Sequence, residues 1–251
     1  MALTRDTMKL HHLAALGAAL VAATTSMTSQ AQEAAPASAA PAAPTGTNHS
    51  QFVGDFAIGF LGTTGLSIAD ETGGFEAVNA PVIGARYWLD DFMGIDAGLG
   101  FILASQSSKV EAGGTTTETE DPQPAGLVLH GGLPLALADS QYFVFEIVPE
   151  LNVGLAGNTV DVGGTDVSLS GFHFDIGARA GAEVHFGFID LPQLSLQAGI
   201  GVALAYDRVS ATNEETNDSA SASRLAFGTN VGGDPWDVFT GSIAALYYFD
   251  R

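Results

Sequence analysis

FHFDIGARAGAEVHFGF, residues 172–188, alternates along its whole length. The even positions are Phe172, Phe174, Ile176, Ala178, Ala180, Ala182, Val184, Phe186 and Phe188. The odd positions are His173, Asp175, Gly177, Arg179, Gly181, Glu183, His185 and Gly187. Successive side chains of an extended chain point to opposite faces, so this stretch is a β-strand with one apolar and one polar face. A helix would wind both sets around its surface.

The same split recurs on both sides. Phe143, Phe145, Ile147, Pro149, Leu151, Val153 and Leu155 oppose Glu146, Glu150, Asn152 and Gly154. Leu194, Leu196, Ala198, Ile200, Val202, Leu204 and Tyr206 oppose Ser195, Gln197, Gly199 and Gly201. Eight segments read this way, at about 54–66, 80–89, 92–104, 125–137, 142–156, 170–188, 194–208 and 237–249. Each meets the roughly 9–11 residues that a tilted membrane-crossing strand needs. Their connections alternate in length. Asp90-Asp91, Ala138–Gln141 and Ile189–Gln193 are short, whereas Ser67–Asn79, Ser105–Pro124, Gly157–Leu169 and Val209–Trp236 are long. Short turns at one end and long polar loops at the other are the layout of a membrane β-barrel, with both termini at the short-turn end.

Composition fits that reading. Of the 251 residues, 31 are glycine, which suits turns and closely packed strands better than helices. The formal charge is −20, and removing Arg5, Asp6 and Lys9 with a leader shifts it to −21, which argues against nucleic acid as a partner. Without cysteine there is neither a disulfide framework nor a lipidated thiol. Arg5 and Lys9 precede the apolar run Leu13–Ala23, and Ser29-Gln30-Ala31 offers a small-x-small cleavage site. The sequence therefore predicts a signal peptide over 1–31. A disordered Ala/Pro-rich linker is expected over 32–50, and a barrel over 51–251.

Alternation alone would also fit a soluble barrel with its apolar face inside. The polar face, however, is mostly glycine with scattered ionisable groups, and the chain beyond the leader holds one lysine, Lys109. Glycine suits the crowded interior of eight strands, and Leu, Ile, Val, Phe and Ala suit lipid contact. Aromatic residues gather at strand ends: Tyr87, Phe92, Tyr142, Phe143, Phe186, Phe188, Tyr247 and Phe249 near the short turns, and Phe60, Phe101, Phe172, Tyr206 and Phe239 near the long loops. Two such belts match membrane interfaces.

On the leader, the eight alternating strands and the last strand VFTGSIAALYYF (238–249), the chain resembles small bacterial outer-membrane β-barrels, the class that includes the membrane domain of outer membrane protein A. The resemblance covers roughly 52–249. It implies an eight-stranded antiparallel up-and-down transmembrane barrel in the outer membrane, in contact with its lipids. In that class a terminal aromatic strand is read by the outer-membrane insertion machinery; here Asp250 and Arg251 follow Phe249.

Parity aims Asp55, Arg86, Asp96, His130, Glu146, Glu150, His173, Asp175, Arg179, Glu183 and His185 inward. A metal or acid/base site of His173, Asp175, Glu183 and His185 is weighed against a charge network that fills the interior. Ten residues of strand span roughly 33 Å, so His173 and His185 cannot share an ion, and the network is preferred. Its expected members are Arg86, Asp96, His130, Glu146, Glu150, Asp175, Arg179, Glu183 and His185. No cofactor, metal or catalytic residue is assigned. Gly113-Gly114 and Gly163-Gly164 lack the Lys-Ser/Thr context of a phosphate loop. Glu111, Glu118, Glu120 and Asp121 make the second loop acidic, and Glu214, Glu215, Asp218, Asp234 and Asp237 the fourth. Their spacing matches no calcium loop, so they are expected to form a solvated surface open to an extracellular partner. The expected assembly is a monomer with a structural or surface role. The alternatives are a narrow channel for small or apolar solutes and, third, a barrel enzyme.

Hairpin parity also fixes a register. Closing Leu89 on Met93 sets Arg86 opposite Asp96, Tyr87 opposite Ile95 and Ile83 opposite Leu99. The same counting from Leu137 and Phe143 sets His130 opposite Glu150.

Overall fold

A computed structural model describes residues 46–112, 115–229 and 243–249. The leader 1–31, linker positions 32–45, Asp234, Asp237, Phe239 and the first part of the expected last strand lie outside the described residues. So do the side chains of Glu111, Glu118, Glu120 and Asp121. A short helix, α1 (Asn48–Gln51), occupies the end of the segment read as linker. Ten strands follow among the described residues: β1 (Phe56–Ala69), β2 (Phe75–Trp88), β3 (Gly94–Ala112), β4 (Thr115–Gly132), β5 (Leu135–Asp139), β6 (Phe143–Asp161), β7 (Asp166–Phe186), β8 (Leu191–Asn213), β9 (Ser219–Thr229) and β10 (Ile243–Tyr248).

All their pairings are antiparallel, and the sheet closes on itself because β10 pairs with both β1 and β8. The ten strands fill eight positions around the ring. β4 and β5 share one, since both pair with β6. β9 and β10 share another, pairing with the far and near parts of β8. The break between β4 and β5 falls at Leu133-Pro134, where proline has no amide hydrogen for the ladder. Pro149 is tolerated inside β6, opposite Ala178.

Strands run much further than the expected segments. The connections at the long-loop end shrink to tight turns such as Asp70–Gly74, Val162–Thr165 and Glu214–Asp218. Segments read as loops because they are polar are rich in Thr, Ser and Val, which favour extended backbone, and each finds a partner strand. The second loop, 105–124, becomes the ends of β3 and β4, and the fourth, 209–236, contains the end of β8 and all of β9.

Side-chain distribution is inverted relative to a water-soluble barrel. On β7, His173, Asp175, Arg179, Glu183 and His185 are buried while Ile176 is 53% exposed. Around the ring Ile58, Ile83, Leu99, Leu129, Leu155 and Ile200 are likewise exposed, and all stand on the face opposite the charges.

One part of the wall leaves the ring. Pairing of β1 with β10 ends at Phe60–Ala245, and pairing of β2 with β3 ends at Val82–Gly100. Beyond a bulge between Phe60 and Gly62, β1 and β2 pair among the described residues only with each other, out to Ala69–Phe75. Gly62 takes φ 132°, a backbone shape that L side chains rarely adopt. This arm crosses the interior to β7, where a Cβ on Gly171 would overlap the Ser67 carbonyl. Its Leu66 and Ile68 are buried together with Val128, Leu169 and Val209.

Candidate functional site

The interior is filled in layers, which succeed one another along β7 from the short-turn end. The first layer is a cap. Phe52, which follows α1, stacks on Tyr248 at 4.6 Å and on His185 at 5.4 Å. His49 meets Trp88 edge-on at 4.4 Å, and its Nε2 lies 3.0 Å from the Asp91 carbonyl. The Trp88 indole donates to the Tyr248 hydroxyl, which donates in turn to Glu183 Oε1 at 2.9 Å. Phe52, Trp88, Tyr248 and His185 are essentially inaccessible to solvent.

The second layer centres on Arg86. The Leu89–Met93 turn closes as hairpin parity dictates, and Arg86 stands opposite Asp96, Tyr87 opposite Ile95 and Ile83 opposite Leu99. The guanidinium grips Asp96 with two parallel bonds, Nε to Oδ1 and Nη2 to Oδ2, both 2.8 Å. Nη1 donates to Glu183 at 2.7 Å and reaches Glu146 at 3.4 Å, and Nη2 donates to Gln197 at 3.0 Å. One cation thus serves three carboxyl groups from β3, β6 and β7, all with fully buried side chains. Parallel fork bonds of this kind combine strength with a fixed geometry.

Above it lies a cavity of about 220 Å³ bordered by His130, Glu150, Asn152, His173, Asp175 and Arg179. Arg179 donates through Nε to Glu150 at 2.8 Å. Asn152 donates its Nδ2 to Asp175 at 3.0 Å, so its Oδ1 must accept the 2.8 Å bond from His130 Nδ1. That fixes which His130 nitrogen carries the proton. In the last layer His173 places one ring nitrogen against Asp175 and the other against Asp207, each at 2.8 Å. Arg224 reaches in from β9 to bond Asp207 at 2.8 Å.

Of the residues expected in one network, Arg86, Asp96, Glu146 and Glu183 meet directly. Glu150 and Arg179 form a separate pair, and His130 and Asp175 join through Asn152. His185 belongs to the cap, 3.8 Å from Glu183. Asp55 is buried near the short-turn end. His130 faces Asn152 rather than Glu150, because the hairpin closes at Asp139–Val144 rather than Leu137–Phe143 and the bulge between Ala136 and Ala138 takes back one residue of that offset; the register is unchanged across Pro134. The weighed metal set separates, with His173 and Asp175 in the outer layer and Glu183 and His185 at the other end.

Sequence reading alone misses Gln197, Trp88, Tyr248, Asp207 and Arg224. Gln197 and Asp207 are legible from parity, being on the odd face of β8. Trp88 and Tyr248 also have inward parity but stand beside the outward Tyr87 and Tyr247, which invite the aromatic-belt reading. Arg224 is hidden in a segment that reads as loop.

The chain matches no family model and no curated protein. Among solved structures, a major outer membrane protein from Thermus thermophilus is similar at 16% identity, over 78% of this chain and 98% of that chain, with a TM-score of 0.37.

Proposed function

We propose that this chain is an integral outer-membrane β-barrel with a structural or surface-interaction role, its interior closed by its own side chains. The observation that carries this is the inverted side-chain distribution: a wall of exposed Leu, Ile and Phe surrounding buried Arg, Asp and Glu. In water that wall would be an apolar patch far beyond the few hundred Å² that soluble monomers expose; in lipid it is the expected contact surface. Aromatic pairs at the short-turn end, Phe56–Phe249 at 5.1 Å, Tyr142–Phe188 at 5.8 Å and Tyr247–Phe249 at 5.4 Å, suit an interfacial girdle, as does Phe172–Tyr206 at the other end.

Exposed acids at the far turns, Glu71, Asp161, Asp166, Glu214, Glu215 and Asp218, give the surface on which a partner would act. The role is non-enzymatic, and the chain acts as a monomer exported through its cleaved leader. The test is fractionation of cells making the full chain, with mature protein expected in outer membranes and running faster unheated than heated on a detergent gel. A soluble product whose mobility ignores heating refutes the reading.

A further inference from the structure

We propose that the β1–β2 arm, residues 62–81, is a hinged lid over a dead-end cavity, closed as described and open when β2 continues along β3. The inference rests on the closed interior argued above, and adds a moving part to it. Three features make the arm a separable unit. Its own ladder is complete, from Gly62–Val82 to Ala69–Phe75, so it is a self-contained hairpin. Among the described residues no ladder ties it to another strand, a property it shares with the outer β3–β4 hairpin, Ser105–Pro122. Both of its links to the ring carry a break: the bulge and Gly62 on β1, and on β2 Pro81, which stands just beyond the last pair with β3.

What seats the arm is packing and two long side-chain hydrogen bonds, from the Thr64 hydroxyl to Asn152 at 3.4 Å and from Arg224 to the Ser67 hydroxyl at 3.5 Å. Leu66 and Ile68 fill an apolar niche, Arg224 lies 4.8 Å from the Phe75 ring, and the Ser67 backbone lies against Gly171. Directly beneath is the polar cavity, part of whose wall is the arm's own Gly62–Gly65 stretch. An open position already exists in register. Extending the Val82–Gly100 ladder sets Pro81 opposite Phe101 and Asn79 opposite Leu103, which is 79% exposed in the closed form. Opening admits small polar solutes to the cavity, while the Arg86 layer and the Phe52 cap remain as a floor.

The chain has no cysteine, so single reporters read cleanly. Ala205→Cys places a thiol on the cavity wall, and Ser195→Cys places one below the floor, where Ser195 is 1% exposed. Both are treated in detergent with a small charged methanethiosulfonate and followed by mass. Two variants unseat the arm: Gly171→Val, which intrudes on Ser67, and Leu66→Ser, which empties the niche. Each is expected to speed labelling at position 205 at least tenfold and leave position 195 unreactive. The lid is overturned if either folded variant, recognised by heat-dependent mobility, labels 205 at the parent rate. It is equally overturned if 195 accelerates with 205, which would mean general loosening. Should Gly171→Val not fold, Leu66→Ser decides alone. Loss of heat-dependent mobility in the parent would instead count against the barrel reading.

Discussion

Replacing Arg86 with methionine keeps the length of the stem and removes the guanidinium that Asp96, Glu146 and Glu183 share. The parent side chain makes two 2.8 Å bonds to Asp96 and one of 2.7 Å to Glu183, with no solvent access at any partner. Removing one member of a buried ion pair costs about 3–5 kcal/mol, because the partner is left charged in a poorly polarisable interior. Here several acids are stranded at once, so the loss should fall at the upper end. With a urea slope near 2 kcal/mol per molar, the unfolding midpoint of the refolded barrel should drop by roughly 2.5 M. Asp96→Asn should cost far less, about 1–2 kcal/mol, since an acceptor remains and Arg86 keeps Glu183. Neutralising the acids alongside, as in Arg86→Met with Glu146→Gln and Glu183→Gln, should recover part of the deficit. Urea titrations followed by heat-dependent mobility measure all three. Equal losses for Arg86→Met and Asp96→Asn, or no recovery in the combined variant, would refute the idea that Arg86 is the shared counter-ion.

Three other outcomes follow from the same geometry. Leu129→Arg, on the outward face and 54% exposed, should lower folding stability in phospholipid vesicles by about 2–4 kcal/mol if the face meets lipid near mid-depth, and an unchanged titration would contradict lipid contact. At the exposed tip of the arm, hydrogen bonds from the Thr72 hydroxyl and the Gly74 and Thr72 amides hold the Asp70 carboxyl below the ordinary aspartate range. The stabilisation of that turn is therefore present above the unfolded-chain value and lost only as pH falls through the lowered one. NMR titration of Thr72→Ala should show Asp70 moving up, and no movement would remove the hydroxyl as the leading cause. Finally, the purified protein should give at most a small, unstable conductance in a planar bilayer, because the Arg86 layer blocks the axis. A large steady current would promote a channel role.

Much of this architecture can be read before any coordinates. The strict alternation of 172–188 fixes which side chains of β7 face inward, and a short turn between Leu89 and Met93 fixes the pairing of Arg86 with Asp96 by parity. Parity is a local rule, however, and fails wherever a residue is inserted. A hairpin closing at Asp139–Val144, with a bulge near Ala136, sets His130 on Asn152, and the bulge after Phe60 turns an expected stretch of wall into an arm. Polarity misleads in the other direction. Ser219–Thr229 looks like loop because it is hydrophilic, yet β8 supplies a ladder for it, and from it the half-exposed Arg224 reaches Asp207. The cap is illegible for a different reason, since Phe52 joins Tyr248 only once the ring has closed, a contact no local pattern encodes.

That last contact bears on how fast the molecule comes apart. The Trp88–Tyr248 bond joins residues 160 apart in sequence, and Arg86 meets Gln197 across 111. Neither can form until the last strand has docked on the first, so both should be absent from the rate-limiting state for folding. Interactions made after that state leave the folding rate nearly untouched and slow unfolding instead. The buried cluster at the short-turn end therefore acts as a latch on the closed ring. Its substitutions should shorten the lifetime of the folded protein far more than they delay its formation.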